Sequence, residues 1–353
     1  MKILHVITLA ELGGAQSVVI NLAERSVQDG DEVFVASSEH GEMWDVLHPN
    51  VHQIKIKSLK HSIGLNDIEV LKDLFLLNRK IKADVIHLHS SKIGILGRLI
   101  FPSSKIIYTI HGFDSIRLRY RKFLPLEKIL KSRCKAIVGV SNYDVDNLKK
   151  EGITENVHVI QNGIKDFAQN EFDSRVDLFT DFRRDENTKI VLSISRLAPP
   201  KRFDVFCNLA KNMANQNILF VWIGNKTEEK NIPENVILLG EKKDAFQYYK
   251  NADIAVLFSN YEGLPMSLIE ALCFSKPIIA SNVGGNSELV DENGVLTGNN
   301  DLHKMQKTIT FMLNNQKIYD KFANQSRKIF EDRFHVEVMY NKYKELYSVI
   351  AKK

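Results

Sequence analysis

At 353 residues the chain exceeds the length at which one hydrophobic core usually stops growing, so two domains are expected. Its 44% hydrophobic and 26% charged residues are ordinary globular values and exclude a mainly disordered or fibrous chain. The net charge of +5 is mild and its Lys and Arg are unevenly placed, which suggests an anionic ligand or surface on one side; no nucleic-acid-binding motif is present, and no nucleic acid is expected as a partner. Cys134, Cys207 and Cys273 are widely separated and form no CxxC, which supports neither a disulfide framework nor a zinc site and fits a reducing cytoplasm. No segment approaches the roughly 20 apolar residues of a membrane span.

The chain opens on KILHVIT, whose short apolar run breaks at Glu11 and reads as a first strand more readily than as a signal peptide. The turn Glu11-Leu12-Gly13-Gly14-Ala15-Gln16 follows, where Gly13 and Gly14 let the backbone approach a phosphate or sugar and the next helix offers its amides; a plain strand-to-helix turn explains the pair as well. It is not GxGxxG, which weakens the case for NAD. A helix through SVVINLAERSVQDG and the strands EVFVAS, DVIHLHS, KIIYTIHG and AIVGVS complete an alternation that means a parallel sheet with crossover helices. His87 and His89 alternate along a strand and so share one face; with no third ligand evident they read as packing or hydrogen-bonded residues rather than a metal site. His111 follows KIIYTI at a carboxyl end, where it could meet a sugar hydroxyl, although a lone histidine is more often structural.

Arg117 to Lys135 carries eight cationic residues against Glu127, interleaved with Phe123, Leu124, Leu126, Ile129 and Leu130. That mixture suits an anionic bilayer, and equally a solvated basic helix. Asp144-Val145-Asp146 has the form of a DxD metal motif but lies just inside a helix capped by Ser141, which makes it a decoy.

The polar stretch DFAQNEFDSRVDLFTDFRRDENT lacks a clear period, so the domain boundary falls at about residue 165, where a cleft should open. The pattern then restarts with the strand KIVLSIS, the helix FDVFCNLAKNMA, the strands ILFVWIG and VILLG, the helix DAFQYYKN, the strand IAVLFS, a helix around SLIEALCF, and the strand PIIAS. In open parallel sheets ligands bind at the carboxyl ends of strands, which selects the loops that follow them. After KIVLSIS, Arg196 and Lys201 flank two prolines and present two cations that could hold a diphosphate. After IAVLFS comes EGLPMSLIE, with Glu262 in the loop, Pro265 in the first helical turn and Glu270 roughly two turns deeper at about 1.5 Å per residue. Two carboxylates thus flank a helix N-terminus whose amides face an anion, an order that fits sugar, diphosphate and ribose. Gly284 and Gly285 after PIIASN, and Asn293-Gly294 beyond, add turn chemistry that would bring backbone near a ligand. The last stretch, VEVMYNKYKELYSVIAKK, has helical spacing and is expected to pack across the domain junction.

In order, GGAQ, TIHGF, VSNYDVDNLKKEGI, VIQNGI, SRLAPPK, EGLPMSLIEAL, VGGNSELV and ENG resemble the retaining GT-B glycosyltransferases of family GT4 over nearly the full length. The resemblance implies an α/β fold of two facing Rossmann-like domains with parallel sheets and an interdomain cleft. It divides the chain into an acceptor-side domain over 1–165, a nucleotide-sugar domain over 166–335 and a helix over 336–353 that returns to the first. It also implies that Arg196 and Lys201 bind the donor diphosphate, Glu262 the sugar hydroxyls and Glu270 the ribose. Gly13 and Gly14 would approach the donor, His111 would line the pocket beside the anomeric carbon, and the segment Gly263, Leu264, Pro265, Met266 and Ser267 would complete the phosphate cradle. Neither a cofactor nor a divalent metal is expected. Three positions depart from common family residues: Gln16 where Glu is frequent, on the acceptor side, and Ser195 and Arg202 where Gly is frequent.

The implied activity is retaining transfer of a hexose or N-acetylhexosamine from a nucleoside-diphosphate sugar, UDP favoured, to a glycan or lipid-linked acceptor in bacterial surface polysaccharide synthesis. The expected location is the cytoplasm, with peripheral attachment to the inner face of the cell membrane. An epimerase, an enzyme with a small soluble acceptor and a noncatalytic sugar-nucleotide-binding subunit are the competing readings.

Overall fold

The computed structural model describes residues 1–169, 177–183, 185–227 and 229–352, so part of the polar segment expected to separate the halves lies outside the described residues. Two compact units are present: Met1–Ile164 with Val336–Lys353, and Lys165–His335.

The first unit runs β1 (Lys2–Ile7), α1 (Gly14–Gln28), β2 (Glu32–Ser38), α2 (Met43–Val46), β3 (His52–Ile56), α3 (Asn66–Ile81), β4 (Val85–His89), α4 (Ser91–Ile100), β5 (Ile106–Ile110), α5 (Leu124–Ile129), β6 (Ala136–Gly139), α6 (Asn142–Lys150) and β7 (Val157–Val159). Its strands form one parallel sheet in the order β3-β2-β1-β4-β5-β6-β7. Both faces are covered, so β4 and β5 are buried at every position and show no polar alternation. On one face Leu4, Leu88 and Ile106 pack with Leu74 of α3 and Ile93 of α4. On the other, Val33 and Val35 meet Val19 of α1 and Trp44 of α2.

The second unit runs β8 (Lys189–Ile194), α7 (Phe203–Asn212), β9 (Ile218–Ile223), β10 (Val236–Leu238), β11 (Ile254–Leu257), α8 (Met266–Cys273), β12 (Ile278–Ser281), β13 (Gly294–Thr297), α9 (Leu302–Leu313) and α10 (Gln316–Ile329). Its sheet is also parallel, in the order β10-β9-β8-β11-β12-β13. Phe206, Phe220 and Trp222 centre its core, with Met305 and Ile309 of α9 packed against them. The segment DAFQYYKN, expected as an α-helix, forms a 3₁₀ turn over Ala245–Lys250, entered through Asp244 in the left-handed region. Asn293-Gly294, expected as turn, opens β13 instead: a Cβ on Gly294 would lie 1.9 Å from the Ile278 carbonyl oxygen, so glycine lets the two strands pair there.

The final helix, α11 (Val336–Ala351), belongs to the first unit. The Tyr347 hydroxyl lies 2.7 Å from His87 Nδ1, and the Tyr343 hydroxyl 2.9 Å from Thr109 Oγ1. Tyr340 donates to Asp29 at 2.7 Å, and Arg25 pairs with Glu337 at 2.7 Å.

The basic stretch is a chain of short turns and not one helix. Its Glu127 is turned inward onto Arg98, both at most 1% exposed, with Tyr108 donating to the carboxylate at 3.3 Å. Leu124 and Leu130 are buried as well, which leaves Leu118, Tyr120, Leu126 and Ile129 as the exposed apolar residues of that segment.

Candidate functional site

In the second unit the strand order reverses between β8 and β11, the place where an open parallel sheet leaves a crevice at its carboxyl ends. The loop after β8 carries Arg196 and Lys201, and the loop after β11 carries Ser259 and Glu262. A bridge between Lys201 and Ser259 joins the two loops. Lys201 Nζ forms an ion pair with Glu262, whose Oε1 also accepts from Ser259 Oγ at 2.5 Å. The Arg196 side chain is exposed and has no ion pair or hydrogen bond among the described residues.

The Glu262 loop is held from behind. Ser281 Oγ accepts from the Ser259 amide at 3.0 Å and bonds to Asn299, whose amide group donates to the Ser259 carbonyl at 2.9 Å. Gly284 has φ +54°, and a Cβ there would lie 1.9 Å from the Glu262 carbonyl oxygen. The Gly285 amide donates to the Gly263 carbonyl at 2.9 Å. Gly284 was expected to bring backbone to a ligand; in the structure its missing side chain makes room for the Glu262 main chain.

Pro265 stands at the N-cap of α8 in an extended conformation, φ −71° and ψ 122°, and not inside the first turn. The first intrahelical bond runs from the Ile269 amide to the Pro265 carbonyl, and no side chain caps this end. The amides of Met266, Ser267 and Leu268 precede that bond and give the helix end its partial positive charge. Glu270 lies only one turn into α8 because the helix starts at Met266. Burial pushes its carboxyl up to about 8. The buried Tyr249 phenol is raised well above its ordinary value, first by burial and then by the Glu270 charge.

The remaining candidates lie in the first unit. Gly13 precedes α1 with no side-chain cap on the helix, and Gly14 is its first residue. Gln16, expected on the acceptor side, directs its amide nitrogen to the Leu9 carbonyl at 2.7 Å and so ties down the turn after β1. His111 follows β5. The next turn passes through Gly112 at φ +113°, and its Phe113 amide donates to Asp144 at 2.7 Å. Asp144 is fully buried and sits in the first turn of α6 behind the Ser141 cap, so this carboxylate of the DxD-like triplet faces inward.

His111 does not stand alone, and His87 and His89, for which the sequence shows no third ligand, have a third imidazole beside them. Parallel pairing sets His5 of β1 against His87 of β4, so three buried histidines meet, with ring nitrogens within 4.8 Å of one another. Burial lowers His5 to about 3 and His111 to about 4, and holds His87 and His89 well below the usual imidazole range.

The sequence profile described as Glycosyl transferases group 1 matches residues 174–329, and that described as Glycosyltransferase Family 4 matches residues 12–166. An Escherichia coli UDP-Gal:alpha-D-GlcNAc-diphosphoundecaprenol alpha-1,3-galactosyltransferase is 28% identical, with 98% of this chain and 96% of that protein covered. The capsular polysaccharide biosynthesis glycosyltransferase CapM of Staphylococcus aureus is 23% identical over 99% of this chain and 98% of its own. Among solved structures, Anabaena Alr3699/HepE in complex with UDP and glucose superposes with a TM-score of 0.85 at 20% identity, covering 99% of this chain and 100% of that one. A parallel sheet with a reversal point in each unit, together with profile matches on both, makes this chain a glycosyltransferase of the GT4 family with the GT-B fold.

Proposed function

We propose that this glycosyltransferase moves a hexosyl or N-acetylhexosaminyl group from a UDP-sugar, with retention at the anomeric carbon, to a lipid-linked glycan during assembly of a bacterial surface polysaccharide. The observation that carries this reading is the Lys201–Glu262 pair at the reversal point of the second sheet, beside the uncapped end of α8. A cation and free helix amides suit a diphosphate, and a carboxylate fixed by Ser259 suits sugar hydroxyls. The relatives support the substrate class: one is named for UDP-Gal and a diphosphoundecaprenol-linked GlcNAc, and a structural neighbour was solved with UDP and glucose.

Arg196 and Lys201 are assigned to the diphosphate, with the segment Gly263 to Ser267 as its cradle, donating through the amides of Gly263, Leu264, Met266 and Ser267. Glu262 is assigned to the sugar and Glu270 to the ribose. Gly13, Gly14 and His111 are assigned to substrate contacts on the family resemblance, and Gln16 to the shape of the turn on the acceptor side. In the transfer, the bond from the anomeric carbon to the β-phosphate oxygen breaks while the acceptor oxygen bonds to the same face. The acceptor proton passes to the departing diphosphate, whose growing charge Arg196, Lys201 and the α8 amides offset. Since these groups supply the neutralising charge, we assign no divalent metal to the step.

The deciding experiment measures hydrolysis and transfer across UDP-, GDP-, ADP- and dTDP-sugars, with and without EDTA. Turnover of one UDP-sugar, undiminished by EDTA, is expected. Dependence on added metal overturns the metal-free assignment, trapping of a covalent glycosyl-enzyme overturns same-face displacement, and failure to bind any donor overturns the whole reading.

The lipid-linked acceptor is further supported by the basic face of the first unit, because Glu127 is buried and its charge does not offset the surface cations. Some of those cations are already held: Arg117 by Asp114, and Arg121 and Lys128 by Glu151. Exposed Leu118, Tyr120, Leu126 and Ile129 add apolar contact. No helix among the described residues is long and apolar enough to cross a membrane, so attachment would be peripheral. Sedimentation with vesicles containing anionic lipid at low salt is expected, and a protein that stays in the supernatant rules the attachment out.

A further inference from the structure

The buried histidines of the first unit are joined end to end. His5 Nδ1 lies 3.2 Å from His89 Nε2, and His89 Nδ1 lies 3.1 Å from His111 Nε2. Neighbouring rings are stacked, with centroids 5.5 and 5.4 Å apart. Burial keeps all three neutral, and a neutral imidazole carries one N–H and one bare nitrogen.

This arithmetic leaves two states. When His111 bears its proton on Nε2 it donates to His89, which must then donate from its own Nε2 to His5, whose proton is forced onto Nε2. When His5 donates from Nδ1, His89 must donate from Nδ1 as well, and His111 then carries its proton on Nδ1. The rings are all Nε2–H or all Nδ1–H, and no mixed set satisfies both links.

The chain ends at His5 Nε2 and His111 Nδ1, both buried and without a hydrogen-bond partner. The first state strands an N–H at His5, which is 0% exposed inside the sheet. The second places it at His111 Nδ1, an atom also buried in this structure but on a partly exposed residue at the strand end, where the substrate is read to bind. An unpartnered donor costs most where neither water nor ligand can reach it, which favours the second state.

We infer that His5 and His89 are positioning residues that fix the tautomer of His111, so that its Nδ1–H is presented as a donor to a substrate oxygen. The inference rests on the reading of His111 as substrate-facing. His87 plays a separate part, since its two nitrogens each lie 2.7 Å from a hydroxyl, of Tyr347 and Thr109, and tie α11 to the sheet. The blind end at His5 makes the chain a lock and not a proton wire, because a proton entering at His111 has no exit. A metal held by His5, His87 and His89 is disfavoured, since His87 would surrender one of its two hydroxyl contacts and the ligand set has no carboxylate to offset a dication in an apolar core.

The test is a long-range ¹H–¹⁵N spectrum of the full chain labelled at histidine, near neutral pH, assigned with His5→Gln, His89→Gln and His111→Gln. Nδ1–H at all three rings is expected, and Nε2–H at any of them in the wild type overturns the proposal. So do zinc-bound shifts at these rings after one equivalent of zinc is added. In His89→Phe, the His111 signal is expected to lose its single tautomer, and donor hydrolysis to lose about tenfold in kcat with KM within about twofold, the scale of one hydrogen bond. His89→Gln should recover most of that rate, because its amide both donates and accepts; an unchanged His111 signal in His89→Phe, or no recovery with Gln, counts against the lock. If the Phe variant does not fold, the wild-type spectrum still decides. Should the wild type turn over no sugar nucleotide, the enzymatic reading fails while the tautomers still report on the chain.

Discussion

Lys201 and Glu262 neutralise one another within the site, so each substitution removes one ligand group and also strands the other. Glu262→Gln and Lys201→Ala are each expected to lower transfer at least about 100-fold, the scale seen when one donor to a developing charge is lost. Far-UV circular dichroism should be unchanged, and initial rates with the accepted UDP-sugar check the loss. Glu270 makes a different prediction. Its folded carboxyl ionises near pH 8, against an ordinary 4.5. Below pH 4.5 both folded and unfolded chains are protonated and nothing is lost. Between 4.5 and 8 the folded protein keeps a proton that the unfolded chain has released, so stability falls as pH rises, and the full cost stands above pH 8. Glu270→Gln should therefore raise the melting temperature at pH 8.5, by roughly 1–3 kcal/mol of stability, leave it nearly unchanged at pH 4.5, and weaken UDP binding. Thermal melts at the two pH values and calorimetric titration with UDP test both halves.

At the scale of elements, the loop after β12 seats the loop after β11. Gly284→Ala is expected to cost more than about 1–3 kcal/mol, because a positive φ and a clash with the Glu262 carbonyl add together. It should also raise KM for the donor, since the carboxylate moves with its backbone; a thermal melt and donor kinetics measure the two effects. The strands legible in the sequence were those with continuous apolar runs, and the three missed, β3, β7 and β13, are all edge strands. In β3 His52, Gln53 and Lys55 face solvent, so no buried run marks it. The EGLPMSLIE turn could be read because a proline, a loop and an apolar helix succeed one another locally. The histidine chain could not, because His5 and His89 are separated by 84 positions and only strand register brings them together. Glu127 misled for the same reason: its partner Arg98 lies 29 positions away, behind the surface to which the local charge pattern assigned it.

At the scale of the molecule, the uncharged imidazoles concentrate acid sensitivity in the first unit. His5, His87, His89 and His111 all ionise below the usual 6.5. As pH falls through 6.5 the unfolded chain takes up protons that the folded unit refuses until about 4 and 3 at His111 and His5. Stability is thus intact above 6.5 and lost progressively below it. The two tryptophans are divided between the units, Trp44 in the first and Trp222 in the second. Trp222→Phe leaves Trp44 to report acid unfolding of the first unit, and Trp44→Phe does the converse. The Trp44 transition is expected at the higher pH, and coincident transitions would show that the histidines do not set the limit.

The placement of α11 has a consequence for how the protein is made. The ribosome releases the first unit's sheet before the second unit, yet Tyr343 and Tyr347, the hydroxyl partners of Thr109 and His87, emerge only after the whole of the second unit. The second unit is one continuous stretch and can close as soon as it is synthesised. The first unit is therefore begun before the second and completed after it, and until then a nascent chain carries a sheet whose histidine face has no cover.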